Sequence, residues 1–312
     1  MNVVTLALAM LVIFLLMLLG YFAYKRGIVT EPAVKGISGL VSNFCGPAMA
    51  LNAAVANETP IAPAAFGGAF ALCAAVYGIL ILAGMLINLL LRVRREERYS
   101  YQLPTVFGNV GFIGYPVCLA VLGQESLIYV TISVLLFNLL VYTYGKQMLA
   151  KAAHAGAETG GLAARLKLLV NPGTVSSVLA LIIYLSHPRV PGFIGDVLSY
   201  TAGATVFLSM LVLGCSLAAS PLKKLLLDGK RVYLYLAIRM LALPIAVVLI
   251  LKLFVHDPLL LGTMAVLVSL PGGTLPLMLC KELDLEAGEL SRAIILSTVI
   301  CVFTIPVVCL FL

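Results

Sequence analysis

Long uninterrupted apolar runs dominate this sequence, and each is about 20 residues long, the length a helix needs to cross the hydrocarbon of a bilayer. Apolar residues make up 62% of the chain and charged residues only 11%, too few charges to cover a water-soluble surface. The runs are continuous and do not alternate with polar residues, which argues against a β-barrel. We therefore predict an all-α membrane protein embedded in the lipid bilayer.

The apolar runs predict ten transmembrane helices, which we call spans 1 to 10. They lie near residues 3–24, 36–56, 65–91, 101–122, 127–149, 168–185, 192–219, 232–254, 259–280 and 290–312.

The distribution of Lys and Arg predicts the orientation of these spans. Of the 20 basic residues, 17 fall in the loops after odd-numbered spans, 2 fall in even-numbered loops or span ends, and Arg239 lies within span 8. Basic loops stay in the cytoplasm, so we expect both termini outside, in a bacterial inner (plasma) membrane. The net charge of +7 comes from these short clusters and gives no basic face for nucleic acid.

The longest loop, at 151–167, is polar and glycine-rich, and we predict that it is a cytoplasmic linker. It would separate a first five-helix repeat, 1–150, from a second, 168–312. Because five is odd, the second repeat must be inverted relative to the first. This plan is typical of secondary transporters, which bind substrate at the repeat interface.

Spans 4 and 9, the fourth of each half, contain glycine and proline at matching positions, with Pro116 and Pro276 lying 160 residues apart. Proline inside a helix removes a backbone hydrogen bond, and unwound backbone must line a cavity or be covered by protein. The half-helix N-termini thus freed favour an anion. The candidate substrate-binding residues are Asn109, Gly111, Gly114 and Pro116 in span 4, and Ser269, Pro271, Gly272, Gly273, Thr274 and Pro276 in span 9.

Arg239 has three alternative roles from sequence alone. It could draw an anion toward the cavity, pair with an unwound carbonyl, or extend its side chain to the cytoplasmic interface. A proline kink at Pro47 in span 2 is a further feature of the membrane interior.

All 13 acidic residues lie in loops or at span ends. A charge at mid-membrane costs at least about 2.5–3.5 kcal/mol, so a functional acid there would be conspicuous. Its absence argues against a cationic substrate and against an intramembrane enzyme. The seven cysteines fall inside apolar runs and form no CxxC pair, so we expect core residues without a metal or other cofactor.

Four stretches in order resemble the auxin efflux carrier family, which includes bacterial malate and malonate permeases and plant PIN-type auxin carriers. They are the span 4 crossover at 109–116, the span 9 crossover at 270–276, the Asn-Pro-x-Thr-x-Ser-Ser motif at 171–177, and the first helix and loop at 20–28.

The resemblance implies a bile-acid-symporter-like fold with crossing helices 4 and 9, elevator-type alternating access and a homodimer. In the plant carriers the asparagine at the place of Asn109 contacts the substrate carboxylate. The resemblance also implies that the span containing Pro47 lines the site and contacts the dimer partner. Gly173 stands where the plant motif has a second asparagine, which favours a smaller bacterial metabolite than auxin.

We therefore expect a secondary transporter of small organic anions, either dicarboxylates such as malate or malonate or an auxin-like carboxylate. Coupling to protons or to sodium is undecided. The alternatives are a sodium-coupled organic-anion symporter and a membrane sensor that does not transport.

Overall fold

The computed structural model describes residues 3–56, 63–153, 170–220 and 230–312. Within these ranges every extended regular element is a helix, and the only β-type pairing is an isolated bridge between Gly108 and Gly272. The prediction of an all-helical membrane protein is confirmed. The predicted linker at 151–167 lies outside the described residues except for 151–153.

The described ranges contain fifteen α-helices. They are α1 (Val3–Lys25), α2 (Glu31–Leu40), α3 (Gly46–Val55), α4 (Pro63–Leu90), α5 (Tyr99–Val106), α6 (Tyr115–Leu122), α7 (Leu127–Leu140), α8 (Lys146–Ala152), α9 (Pro172–Ser186), α10 (Gly192–Ala219), α11 (Lys230–Ala237), α12 (Leu243–Leu251), α13 (Pro258–Val268), α14 (Leu275–Glu282) and α15 (Gly288–Cys309).

Short π-helical turns continue several of these helices without a loop. Val41–Cys45 joins α2 to α3, Val141–Gly145 joins α7 to α8, and Ile238–Ala242 joins α11 to α12. A fourth, Val110–Gly114, leads into α6. Such turns insert a residue into the helical ladder and re-aim the side chains beside it, which matters below for Arg239.

Six helical segments are long and apolar enough to cross a membrane, judged by length and composition. They are Leu8–Lys25, Ala65–Leu90, Gln124–Ala152, Gly192–Ala219, Lys230–Leu251 and Gly288–Cys309. Three shorter apolar helices are Val110–Leu122, Pro172–Ser186 and Pro258–Val268. All seven cysteines are free and buried, as their apolar surroundings predict.

Two predicted spans are interrupted, but not by the prolines that drew attention to them. Helix α5 ends at Val106 and the π-turn begins at Val110, whereas Pro116 lies in the first turn of α6. Likewise, α13 ends at Val268 and Pro276 lies in the first turn of α14. At Pro276 the missing N–H costs nothing because the first N–H groups of a helix have no intrahelical partner. Pro116 lies in a continuous helical run that starts with the π-turn Val110–Gly114, and the altered hydrogen bonding of that turn accommodates its missing N–H. The expectation that Pro116 and Pro276 break their helices is therefore corrected: both lie after the interruptions, which are at 107–109 and 269–274.

The helices pack as two groups, each drawn from both halves of the sequence. The first group contains α1, α2, α3, α9 and α10, and the second contains α4 to α8 and α11 to α15. Contacts between α9 and α7 are the main junction between them.

The most extensive helix pair is α1 with α10. A methyl group at Gly20 would overlap the carbonyl of Leu211, and one at Gly214 would overlap that of Met17. The Cys215 thiol donates to the Gly20 carbonyl at 3.2 Å. Small residues let helix backbones approach closely where lipid supplies no hydrophobic driving force, so these two glycines bring α1 and α10 into backbone contact.

Candidate functional site at the helix crossing

The two interrupted segments meet and pair through their backbones. The Asn109 N–H donates to the Pro271 carbonyl at 2.8 Å, and the Gly273 N–H donates to the Phe107 carbonyl at 2.7 Å. Gly108 lies opposite Gly272 in an antiparallel bridge. This short ladder gives unwound backbone the hydrogen bonds that lipid cannot supply, and we call it the crossing.

Glycine is required at the crossing because other chain segments press against it. A Cβ at Gly272 would lie 2.7 Å from Pro104 Cβ and 3.0 Å from Ile294 Cγ1. The Gly272 N–H donates to Ser297 Oγ at 3.1 Å. Helix α15 therefore holds the crossing by packing and by one buried hydrogen bond.

Arg239 binds the carbonyl oxygens where α5 and α13 end. Its Nε donates to the Thr105 carbonyl at 3.1 Å, Nη1 to Val268 at 2.7 Å, and Nη2 to Leu270 at 3.2 Å. The side chain is 1% exposed, so it does not extend to an interface. Of the three roles open from sequence, this geometry matches pairing with unwound carbonyls. We call these three carbonyls and the guanidinium the carbonyl face of the crossing.

The opposite ends of the interrupted helices present N–H groups. Asn109 caps the π-turn, its Oδ1 accepting from the Phe112 N–H at 3.1 Å. Its Nδ2 is buried and has no hydrogen-bond partner among the described residues, and the residue is 4% exposed. Thr274 precedes α14 without a side-chain cap. We call the Asn109 side chain and the helix starts at Val110 and Leu275 the amide face.

The amide face opens onto a cavity of about 250 Å³ between the two helix groups. The first group contributes Ser38, Ser42, Asn43 and Asn171, and the second contributes Asn109, Asn138, Tyr142 and Thr274. Among the described residues that line the cavity, none is charged. Partial positive charge from helix N-termini and amide donors therefore sets its electrostatic character.

A second cavity of about 130 Å³ adjoins the first, and both are bordered by Gly111, Phe112, Phe137 and Asn138. Its further lining is mainly apolar, with Val41, Pro47, Ala50 and Val134. Together the two cavities offer a polar end at the amide face and an apolar end beside Pro47.

The predicted site residues fall into two sets. Those that line a cavity are Asn109, Gly111, Gly273, Thr274 and Pro47. Those that line neither of these two cavities are Gly114, Pro116, Ser269, Pro271, Gly272, Pro276 and Arg239. The second set builds the crossing and its packing; the Ser269 hydroxyl, for example, donates to the Ala265 carbonyl at 2.6 Å.

Three asparagines outside the predicted set also border the larger cavity: Asn43, Asn138 and Asn171. Asn171 caps α9, accepting from the Thr174 N–H at 3.0 Å, and the Asn-Pro pair is the sequence signal of such a cap. Asn138 is a solitary amide in the apolar helix α7. A Cβ at Gly173 would lie 3.0 Å from Asn138 Nδ2, so the glycine leaves room for this amide.

This apolar helical protein has two interrupted helices whose N-termini lie at a cavity with an uncharged described lining. These features indicate the class of membrane transport proteins. The family model described as "Membrane transport protein" matches residues 5–309, so the chain belongs to this family, the auxin efflux carrier family that its motifs resemble. An uncharacterized transporter from Methanocaldococcus jannaschii is 28% identical over 222 residues, which cover 68% of this chain and 69% of the relative.

Proposed function

We propose that this protein is a secondary transporter of small organic anions and that the amide face binds the substrate carboxylate. The observation that carries the proposal is the buried Asn109 Nδ2, a donor without a hydrogen-bond partner among the described residues, in a residue that lines the larger cavity. Leaving a buried donor unpaired is costly, so a ligand acceptor would recover that free energy. The helix starts at Val110 and Leu275 add positive dipole ends that favour an anion.

The cavity linings favour a substrate with one carboxylate over one with two. The described residues of the two linings include no Lys or Arg to neutralise a second charge, and the smaller cavity is mainly apolar. Among the predicted substrates, malate and malonate would bury a second carboxylate without a cation. An auxin-like arylacetate would instead put its apolar part beside Pro47.

Calorimetric titration of the purified protein with malonate, malate and phenylacetate tests this preference. We expect phenylacetate to bind at least about tenfold tighter, since an unpaired buried charge costs more than 1.4 kcal/mol. Tighter binding of malonate would show that the smaller cavity does not hold an apolar part of the substrate.

Asn109 is tested by two substitutions that separate its two hydrogen-bonding roles. Asn109→Asp keeps an oxygen to accept from the Phe112 N–H but replaces the Nδ2 donor with negative charge, so we expect anion flux into proteoliposomes to be lost. Asn109→Ala removes both groups and should reduce flux by about tenfold or more. Asn52→Ala, an amide that lines neither cavity, is the control. If the Asn109→Asp variant transports at the wild-type rate, Asn109 does not bind the substrate.

The transport cycle we propose is an elevator. The protein would have ten transmembrane helices in a five-plus-five inverted repeat, with both termini outside the bacterial inner membrane, and would form a homodimer. The elevator is supported by the two helix groups, each drawn from both halves of the chain, and by the cavity that lies between them. One group would slide against the other and carry the bound anion with the crossing.

A reducible cross-link across the cavity tests the relative movement of the groups. Ser42→Cys and Thr274→Cys place one thiol on each group, and both positions line the cavity. We expect the linked double variant to lose flux and to regain its own unlinked rate when the linker is reduced. Undiminished flux in the linked protein would exclude the elevator.

The proposed orientation is tested by labelling intact cells with an impermeant maleimide. The native cysteines are buried, so the background is low. Ile28→Cys, in the loop after span 1, should resist the reagent, and Arg189→Cys, in the loop after span 6, should react. The opposite labelling pattern would show that the protein has the opposite orientation in the membrane.

A further inference from the structure

The carbonyl face gathers the negative ends of two helices at one point. Helix α5 ends at Val106 and α13 at Val268, and the last carbonyls of a helix carry partial negative charge. In secondary transporters, unwound carbonyls and half-helix C-terminal ends are the groups that coordinate a coupling cation. Here the carbonyls of Thr105, Val268 and Leu270 are bonded to the guanidinium of Arg239.

Arg239 is a cation that this site cannot release. A guanidinium stays protonated at every physiological pH, and the side chain is covalently held in the π-turn Ile238–Ala242. The small void beside it, about 20 Å³, is lined by no acidic residue in the part of the chain that the structure describes. The charge of Arg239 is therefore balanced by backbone carbonyl dipoles, the same groups that would otherwise hold a metal cation.

Arg239 also lies apart from the anion-binding end of the site. It borders neither the cavity at the amide face nor its apolar neighbour. Its own void shares Gly108 and Val110 with the larger cavity, so the backbone of the crossing runs between the guanidinium and the proposed anion site. A direct salt bridge from Arg239 to substrate does not fit this arrangement.

We infer that Arg239 is a built-in cation that occupies the place of a coupling ion at the crossing, so that transport by this protein is independent of sodium. The independence from sodium rests on the proposed transport function, but the cation site itself can be tested without measuring transport. Since the guanidinium never leaves, the carbonyl face needs no ion from solution in any step of the cycle.

The experiment compares sodium with N-methyl-D-glucamine, a cation too large for the site, using wild-type protein, Arg239→Ala and Arg239→Lys. Thermal unfolding in detergent and organic-anion flux in proteoliposomes are measured in both salts. Wild type should behave identically in the two. Arg239→Ala should lose flux by about tenfold or more in N-methyl-D-glucamine, and sodium should raise its melting temperature and recover part of the flux by filling the vacated carbonyls. Arg239→Lys, which keeps a tethered cation, should remain indifferent to sodium.

Lys252→Ala is the matched control, because the Lys252 ammonium donates to the Phe311 carbonyl at 2.9 Å at an exposed helix end. It should not become sensitive to sodium. If Arg239→Ala does not fold, Arg239→Gln, a neutral side chain with two donors, takes its place in the melting comparison and should be stabilised by sodium.

Two results would overturn the inference: wild-type flux that requires sodium, or a neutral Arg239 variant whose melting and flux are the same in both salts. If wild type carries no organic anion in either salt, the transport proposal fails. The sodium-dependent melting of the neutral variants then still decides whether a cation site lies at Arg239.

Discussion

The two faces of the crossing use the same broken helices in opposite ways. On the carbonyl face, three backbone acceptors are satisfied by a side chain of the protein itself, Arg239. On the amide face, the Asn109 Nδ2 donor is buried without a partner among the described residues, and α14 begins without a side-chain cap. Within the described ranges, one face has all its hydrogen bonds and the other does not.

This difference assigns stability to one face and ligand binding to the other, although the two faces are only a few residues apart. A complete set of hydrogen bonds contributes to stability, because removing one member leaves buried groups unpaired. An incomplete set contributes to binding, because a ligand can supply the missing partner. Substitutions on the carbonyl face should therefore lower stability first, and substitutions on the amide face should change affinity first.

The largest effect should come from Arg239→Met, which keeps much of the side-chain length and removes every donor. Three buried carbonyls would lose their partners at about 1 kcal/mol or more each, so we expect a loss of about 3 kcal/mol in unfolding free energy. Hydrogen exchange at 105–110 and 268–274 should quicken in the absence of substrate. Unchanged exchange there would show that the carbonyl face does not hold the crossing.

Gly272→Ala should disrupt the crossing because the added methyl group overlaps neighbouring atoms. It removes no hydrogen-bonding group from either face. The added methyl would lie 2.7 Å from Pro104 Cβ, and overpacking of this kind costs about 1–3 kcal/mol. We expect a lower melting temperature together with lost flux. Gly36→Ala, with no heavy atom within 4 Å of the added methyl, is the control and should melt like wild type.

Ser297→Ala should have a smaller effect because it removes one acceptor. The buried Gly272 N–H would lose its partner, at a cost of about 1–2 kcal/mol. Thermal unfolding measures this directly. Ser186→Ala, at an exposed hydroxyl that donates to the Ile182 carbonyl, should change the melting temperature less, and equal shifts would count against a special role for Ser297.

Gly111→Ala should have the smallest effect on stability and a selective effect on binding. No heavy atom lies within 4 Å of its added methyl, so we expect less than about 0.5 kcal/mol of destabilisation. The methyl would project at the border of both cavities. In calorimetry, Gly111→Ala should lower the affinity for phenylacetate more than the affinity for acetate, each relative to wild type. Equal losses for the two ligands would show that the apolar part of the substrate lies elsewhere.

The sequence predicted those features that the bilayer imposes. Apolar runs and glycine-containing segments are readable because lipid tolerates neither exposed charge nor unpaired backbone. The helical class and the interruptions near Asn109 and Gly272 follow from them, whereas the family was indicated by the resemblance of four motifs. The prolines were misjudged, since the sequence does not distinguish a proline that breaks a helix from one that a π-turn or the first turn of a helix accommodates.

The features missed depend on contacts between distant segments. The position of Arg239 within span 8 suited extension to the interface as well as burial, and only the meeting of α5 with α13 gives it carbonyl partners. Asn138 looked like an ordinary amide in an apolar helix until α9 brought Gly173 against it. No local pattern encodes either pairing.

The close contact of α1 with α10 also bears on how the chain is assembled during synthesis. The Cys215 thiol and the Gly20 carbonyl that it binds are 195 positions apart. Helix α1 therefore enters the bilayer long before its principal neighbour has been translated, and its glycine-bearing surface faces lipid for that interval. Helix α1 cannot complete its tertiary contacts until α10 has been inserted, so it is made well before its native neighbour is present.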